Sequence, residues 1–316
     1  MHILVTGAAG FIGSHVATAL LERGDTVVGI DTLNDYYNPA WKQANLDRLS
    51  ASDNFSFQKI DFSERAELEP LFAQNSFDCV VHLGARAGVR PSIVDPLLYE
   101  KTNVQGTLNI LEAMREHGVQ QIVAASSSSV YGNQTKVPFS ESDPANAPIS
   151  PYAASKKALE MYCHTYAHLY GIQATCLRFF TVYGPNGRPD MAPYLFTEAI
   201  FTGKPIKKFG TGETKRDYTF IDDIVAGVLG AIDTPKPFAI YNLGNHTPVS
   251  LNEFIATLED IIGKKAIIDQ YPMQPGDVEI TYADVTRAQE DFGYEPKTPF
   301  AEGLRRFVEW YRENRL

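Results

Sequence analysis

Apolar and polar positions alternate along this chain in two rhythms. Short, nearly continuous apolar runs rich in β-branched residues occur at "HILVTG", "TVVGID", "FSFQKID", "CVVHLGA" and "QIVAASS", and "ATCLRFF" adds a sixth. Runs of this kind suit parallel strands covered on both faces, because neither side of the strand meets water. Between them lie helical patterns such as "FIGSHVATALLERG" and "TLNILEAMREHG", each closed by a glycine of the kind that ends helices. Strand, helix, strand repeated in this way predicts an α/β fold built on a doubly wound parallel sheet.

Two stretches break the rhythm. Residues 32–54, "TLNDYYNPAWKQANLDRLSASDN", form an insertion too aromatic for a plain linker. After "LRFF" the pattern loosens into "TVYGPNGRPDMAPYLF" and "KFGTGETKRDYTFIDD", rich in Gly, Pro and charge, and a short run "AIYNLG" looks like a strand returning to the main sheet. The expected division is a nucleotide-binding domain of residues 1–179 and 219–245, with a smaller C-terminal substrate-binding lobe of residues 180–218 and 246–316 whose loops close over the cleft.

Composition narrows the function classes. A chain of 316 residues with 44% hydrophobic and 21% charged residues is an ordinary globular protein with ample length for a core. No apolar run reaches the roughly 18 residues of a membrane span, and "MHILVTG" resembles a first strand rather than a signal peptide, so a cytoplasmic protein without membrane contact is expected. The net charge of −10 argues against nucleic acid as a partner but leaves room for a small anion, since a few arginines can set the potential inside a cleft. Cys79, Cys163 and Cys176 are three widely spaced residues in apolar surroundings and are read as buried small hydrophobes. His164 and His168 stand four apart on a predicted helix, but with no third ligand no metal is expected.

The chemistry begins at "VTGAAGFIGSH". Gly7, Gly10 and Gly13 follow the first strand and open a helix, which lets backbone N–H groups approach a pyrophosphate at the positive helix end. This is a Rossmann-type site, with Phe11 and Ile12 in the same turn. Asp31, ending the second strand, is placed to accept hydrogen bonds from the adenosine ribose, and its charge favours NAD over NADP. Asp61 ends the third strand and is expected to face the adenine, with Phe62 and Leu83 beside the cofactor. Further on, "SPYAASKKALEMY" sets Tyr152 and Lys156 four residues apart on one helical face. A free tyrosine is a poor base at neutral pH, and a nearby ammonium would favour its phenolate.

Taken together, "TGAAGFIG", "SSSSVYG", "YAASK", "LRFFTVYGP" and "RDYTFIDDI" resemble the extended short-chain dehydrogenase/reductase family over essentially the whole chain. Within it, "NDYYNPAWKQANL" and "GRPDMAPYLFTEAI" are similar to the UDP-glucuronate 4-epimerases. The resemblance implies a redox-neutral reaction between UDP-glucuronate and UDP-galacturonate with tightly held NAD. Tyr152 would take the proton of the sugar 4-hydroxyl while hydride leaves C4, and hydride would return to the other face of the 4-keto sugar. Ser127 matches the hydroxyl that hydrogen-bonds the reacting oxygen, Lys156 holds the nicotinamide ribose, and Asn103, also counted with the cofactor residues, matches one that orients the active-site helix.

The same resemblance places Ser128, Ser129 and Thr181 on the substrate carboxylate, Arg188 near the uracil or diphosphate, Arg216 near the diphosphate, and Asp277 on the uridine ribose. Arg90 could line the sugar pocket. Many family members carry arginine where Gln274 stands, so Arg216 is expected to take more of the diphosphate. Strand alternation turns Ser127 and Ser129 to one side and leaves Ser128 open, while Ser126 is read as structural. Alternatives are a UDP-glucose/UDP-galactose or N-acetylhexosamine 4-epimerase, a UDP-glucuronate decarboxylase, and a non-catalytic NAD-sensing module. Sugar 4,6-dehydratases carry an Asp-Glu pair where Ser128 and Ser129 stand, and the decarboxylase's usual glutamate is absent from the run. Family members commonly form homodimers through a four-helix bundle, which the helices at "TLNILEAMREHG" and "ASKKALEMYCHTYAHLY" would supply.

Overall fold

All six apolar runs form strands, and a seventh strand joins them from far downstream. The computed structural model describes residues 1–272 and 279–316. The six are β1 (His2–Thr6), β2 (Thr26–Asp31), β3 (Phe55–Lys59), β4 (Cys79–His82), β5 (Gln121–Ser127) and β6 (Gln173–Phe179). After them come β7 (Thr181–Tyr183), β8 (Pro205–Phe209), β9 (Lys215–Phe220), β10 (Phe238–Leu243), β11 (Pro248–Ser250), β12 (Ile267–Tyr271) and β13 (Ile280–Thr281). The main sheet is parallel throughout, in the order β10-β6-β5-β4-β1-β2-β3. The run "AIYNLG" is therefore β10, on the sheet edge beside β6.

Helices cover both faces: α1 (Phe11–Glu22), α2 (Pro39–Leu49), α3 (Arg65–Gln74), the short α4 (Val89–Val94) and α5 (Pro96–Tyr99), α6 (Gly106–His117) and α7 (Pro151–Tyr170). The C-terminal part adds α8 (Ala192–Thr202), α9 (Ile221–Asp233), α10 (Leu251–Ile262), α11 (Thr286–Phe292) and α12 (Phe300–Arg315). The continuous hydrophobicity of the strands follows from this sandwich. In β1, Ile3 and Val5 enter one core with Val16 and Leu20 of α1 and Ile224 and Val228 of α9. Leu4 between them enters the other core, with Leu68 and Leu71 of α3, Ile110 and Met114 of α6, and Leu159 of α7. A third core, around Tyr183, Phe220, Phe254 and Phe307, holds the C-terminal elements together. There β9 pairs with β7, β11 and β13, and β8 pairs with β12.

The aromatic insertion proves to be half helix. Asn38 caps α2 by accepting from the Ala40 N–H at 3.0 Å, and Trp41 carries the contact outward, with ring centroids 6.2 Å from Tyr37 and 5.5 Å from Tyr194 of α8. The three cysteines are free and buried. The His164 ring packs edge-on against Phe238. Among the described residues no helix is long and apolar enough to cross a membrane.

One buried ion pair ties α7 to the sheet. Arg178 of β6 donates to both carboxylate oxygens of Glu160, at 2.7 and 2.9 Å, and both side chains are 1% exposed. Ser126 of β5 donates to the same carboxylate at 2.6 Å. Burial alone would raise the Glu160 pKa, but the Arg178 hydrogen bonds and charge outweigh it and hold the carboxyl below its ordinary range. Removing one partner strands the other charge, so Glu160→Ala should lower the unfolding free energy by about 3–5 kcal/mol in urea titrations near neutral pH. A group whose folded pKa is depressed stabilises above its unfolded value, 4.5 for glutamate, and ceases to do so as pH falls through the folded value. The gap between wild type and Glu160→Ala should therefore narrow in acid; a difference below about 1 kcal/mol at neutral pH would mean that Arg178 finds another partner.

Candidate active site

A cleft of about 980 Å³ opens at the carboxyl ends of the parallel strands. Gly7 follows β1, Asp31 ends β2, Asp61 follows β3, Leu83 follows β4, Ser127 ends β5 and Thr181 follows β6, and all six line it. The sheet order reverses between β1 and β4, and a crevice at such a switch point is where open α/β sheets bind ligands.

At the β1 end, the glycines are required by close approach. Gly7 has φ +71°, and a Cβ there would sit 2.8 Å from the Gly84 Cα. A Cβ on Gly13 would lie 2.1 Å from the Gly7 carbonyl oxygen. Gly10, at the N-cap of α1, makes no side-chain cap, and no acidic residue occupies the first turn. The positive end of α1 is thus bare toward the cleft, flanked by Phe11, Ile12 and Gly13. These residues fit the pyrophosphate of a dinucleotide.

Asp31 stands where a ribose would be held. Its Oδ1 accepts from the Leu33 N–H at 2.8 Å and lies 3.6 Å from the Lys42 ammonium. Lys42 is itself buried, donates to the Asn34 side chain at 3.1 Å, and has its pKa lowered by burial. Sequence reasoning missed Lys42. The available signal was its place on the inward face of α2, in register with Asn45, Leu46 and Leu49. Asp61 accepts from both the N–H and the hydroxyl of Ser63, at 2.9 and 2.7 Å, and Phe62 and Leu83 line the wall nearby.

Tyr152 and Lys156 lie in the first turns of α7, which Ser150 caps by accepting from the Ala153 N–H at 3.1 Å. The Lys156 ammonium donates to the Ala125 carbonyl of β5 at 2.7 Å, and burial brings its pKa down to about 8. Burial pushes the Tyr152 phenol up, opposed by hydrogen bonding to Ser127 and by the charge of Arg188. The Tyr99 ring packs edge-on against Tyr152, with centroids 6.2 Å apart.

The serine run divides at the end of β5. Ser126 turns its hydroxyl inward to Glu160, whereas Ser127 caps the turn Ser128–Tyr131, accepting from the Ser129 N–H at 3.2 Å and from the Ser129 hydroxyl at 2.9 Å. Ser127, Ser128, Ser129 and Thr181 all line the cleft.

The arginines are arranged less predictably. Arg188 donates through Nε to Asp190 at 3.0 Å and stacks over the Tyr36 ring at 5.5 Å. It lines the cleft beside Tyr36, whose hydroxyl shares the Ala87 carbonyl with that of Tyr99, the ring packed on Tyr152. Arg216 lines the cleft from β9 and donates to its neighbour's carbonyl at 2.9 Å. Arg90 lies over the Phe209 ring at the mouth. Asn103 lies behind the wall, with its side chain on the backbone of Arg86 and on Ser155. Asp277 and Gln274 lie outside the described residues. Tyr36, Arg86 and Tyr99, grouped around the Ala87 carbonyl, were not singled out by sequence.

Comparison with known proteins places this geometry. A family model described as GDP-mannose 4,6 dehydratase matches residues 4–307. The chain is 45% identical over 314 residues to a UDP-glucuronate 4-epimerase of Thermodesulfobacterium geofontis, covering 99% of this chain and 97% of that one. Its fold matches the crystal structure of a Bacillus cereus UDP-glucuronic acid 4-epimerase in complex with UDP-glucuronic acid and NAD, with TM-score 0.92, 35% identity and 99% of each chain covered. It also matches a UDP-glucose 4-epimerase of Thermotoga maritima with UDP-glucose, with TM-score 0.91, 34% identity and 99% of each chain covered.

Tyr152→Phe keeps the ring that packs against Tyr99 and removes the phenol oxygen that could take a proton. Turnover of a nucleotide sugar should fall by about 10²–10⁴-fold, the usual contribution of a positioned acid or base. Dinucleotide and nucleotide sugar should stay bound, which mass spectrometry and calorimetry would measure. More than half of wild-type turnover in this variant would assign the proton transfer to another residue.

Proposed function

The chain belongs to the NAD-dependent nucleotide-sugar epimerase/dehydratase family, the extended short-chain dehydrogenases/reductases, and within it we propose that this protein interconverts UDP-glucuronate and UDP-galacturonate by inversion at C4. One observation carries the choice of substrate. The wall beside Tyr152 presents neutral hydroxyls from Ser127, Ser128, Ser129 and Thr181, and a guanidinium, Arg188, whose charge reaches the phenol. A sugar with a carboxylate on C5, next to the reacting C4, meets donors there and no acid from the serine run.

The chain's own residues would work as follows. Tyr152 Oη receives the proton of the 4-hydroxyl and later returns it, with Ser127 hydrogen-bonding the oxygen during the transfer. Lys156, fixed by the Ala125 carbonyl one helical turn from the phenol, would hold the nicotinamide ribose. Bound NAD supplies the hydride acceptor and donor, and the bare end of α1 with Asp31 and Lys42 would hold it. Arg216 at the far wall suits the diphosphate. An exposed face of α7, with Ala154, Met161, Thr165 and Leu169 in helical register, suits pairing with a second copy.

The purified protein, given UDP-glucuronate without added NAD, should form UDP-galacturonate by proton NMR while NADH absorbance stays flat. NADH rising in step with product would make the protein a dehydrogenase. Turnover of UDP-glucose but not UDP-glucuronate would overturn the substrate assignment.

The serines have a further task if the substrate is a uronate. Oxidation at C4 yields a β-keto acid, which loses CO₂ when its carboxyl bond stands perpendicular to the carbonyl plane. Holding the carboxylate out of that orientation protects the sugar while its ring turns over. Short hydroxyls can do so and offer no strong acid to a carbanion. Each hydrogen bond to a charged group contributes about 1.5–3 kcal/mol, so Ser128→Ala with Ser129→Ala should weaken turnover of UDP-glucuronate by about 10²-fold or more. A larger fraction of the remaining product should be UDP-4-keto-pentose and CO₂, read by NMR at saturating substrate. Unchanged epimerisation without extra CO₂ would leave the serines only a structural part.

A further inference from the structure

Behind the cleft, a buried imidazole lies between the dinucleotide turn and the tyrosine helix. His82, the last residue of β4, is 1% exposed. Its Nδ1 lies 2.8 Å from the Thr6 hydroxyl at the end of β1, and its Nε2 lies 3.2 Å from the Thr107 hydroxyl in the first turn of α6. Thr6 and Thr107 are both fully buried.

The protons in this chain can be counted. The Thr107 hydroxyl donates to the Asn103 carbonyl at 2.6 Å, so its single hydrogen is used and it must accept from His82. The imidazole is neutral, because burial and the nearby Lys156 charge lower its pKa to about 3. With one N–H, placed on Nε2, the Nδ1 atom accepts, and Thr6 is the donor. Thr6 in turn accepts from the Gly84 N–H at 2.9 Å. Gly84 is the residue against which Gly7 packs in the dinucleotide turn.

At the other end the chain continues through Asn103. This residue lies in a π-helical segment, Glu100–Gln105, where the widened turn frees backbone groups. Its side-chain amide donates to the Ser155 hydroxyl at 2.9 Å and to the Arg86 carbonyl at 2.9 Å, and its oxygen accepts from the Arg86 N–H at 2.8 Å. Ser155 then donates to the carbonyl of Tyr152 itself at 2.8 Å. From Gly84 to Tyr152 every link has an assigned direction, and only the neutral Nε2–H tautomer of His82 is consistent with all of them.

We infer that His82 is a positioning residue, whose fixed tautomer couples the dinucleotide turn to Tyr152 through Thr6, Thr107, Asn103 and Ser155. Transfer between a bound nucleotide and a proton acceptor depends on their separation, and a misplacement of about 1 Å can lower the rate about 10²-fold. The glycine turn and α7 belong to different halves of the sheet, and this polar chain crosses the core between them. A protonated His82 would donate from both nitrogens and oppose the Thr6 hydroxyl, so its low pKa also keeps the coupling intact at physiological pH.

The inference rests on Tyr152 as the proton acceptor but not on which sugar is the substrate. Its first test needs no substrate. In protein labelled with ¹⁵N-histidine, His82 should show a protonated Nε2 and a bare Nδ1, with no titration between roughly pH 5 and 8, the range in which an ordinary histidine changes charge. An Nδ1–H tautomer, or titration in that range, would overturn the assignment. The second test compares Thr107→Val, which keeps the shape and loses the hydroxyl, with Thr107→Ser, which keeps the hydroxyl. On whichever UDP-hexose the wild type turns over, Thr107→Val should lower kcat by about tenfold or more with KM within about twofold, and Thr107→Ser should restore most of it. Ser155→Ala cuts the last link at the edge of α7 and should lower kcat in the same way if Thr107→Val does not fold. Wild-type kcat in a folded Thr107→Val or Ser155→Ala protein would show that the chain only fills the core.

Discussion

The site depends on one buried cation finding one carbonyl. Lys156 is 3% exposed, and an ammonium so placed loses its hydration, which is why its pKa falls to about 8. The Ala125 carbonyl at 2.7 Å is the partner that makes the placement tolerable. That carbonyl belongs to β5, just before the serines, so the bond fixes α7 against the strand end that carries Ser127. Tyr152, one turn earlier on α7, is brought over the same strand end. The Glu160 and Arg178 pair, one turn later, closes the same gap from the opposite direction and takes Ser126 with it. Two buried contacts one turn apart on α7, Lys156 on the Ala125 carbonyl and Glu160 on Ser126 and Arg178, thereby join the helix to the start of the serine run.

Much of this could be read in the sequence, and the boundary of what could not is physical. Strands β1, β2, β4, β5 and β6 were visible because burial on both faces leaves few polar positions to interrupt an apolar run, whereas the edge strand β3 is half exposed and carries Ser56, Gln58 and Lys59. The glycine turn was visible because close backbone approach excludes side chains, and Tyr152 and Lys156 because helical spacing converts directly into proximity. His82 escaped notice as one more residue of "CVVHLGA". Its significance lies in Thr6 and Thr107, which are distant in sequence and meet it only when β1, β4 and α6 pack. Lys42 was hidden for a related reason, since a lysine in a polar helix looks solvated until the fold turns that face inward. Ser126 and Ser127 are neighbours of one residue type with opposite tasks, which alternation along a strand explains once β5 is known to end at Ser127.

The chain carries a net charge of −10. Arg86, Arg90, Arg188 and Arg216 nevertheless line a single cleft, together with Lys42, Lys101 and Lys156. A small anion that enters this concavity experiences nearby cations more strongly than the diffuse negative charge outside, because low-dielectric walls limit screening. With Asp31, Asp61 and Asp190 on the same walls the cleft is still net basic, an environment suited to a small anion.

Within the cleft the cations and hydroxyls are not equivalent. Arg188 is engaged by Asp190 and by Tyr36, so an anion that approaches it competes with a carboxylate already in place. Such a pair supplies much less net charge than a lone guanidinium, and its engagement can vary as a ligand moves. The hydroxyls of Ser128 and Thr181 are short and neutral and can rotate to suit either orientation of a ring. A sugar that must present both faces of C4 to one dinucleotide needs a wall of this second kind. For the uronate we propose as substrate, a rigid ion pair to its carboxylate would favour one orientation and hinder the turn between them. On that proposal the serine run would combine a grip on charge with freedom of rotation, a combination that a neutral hydroxyl provides and a cation does not.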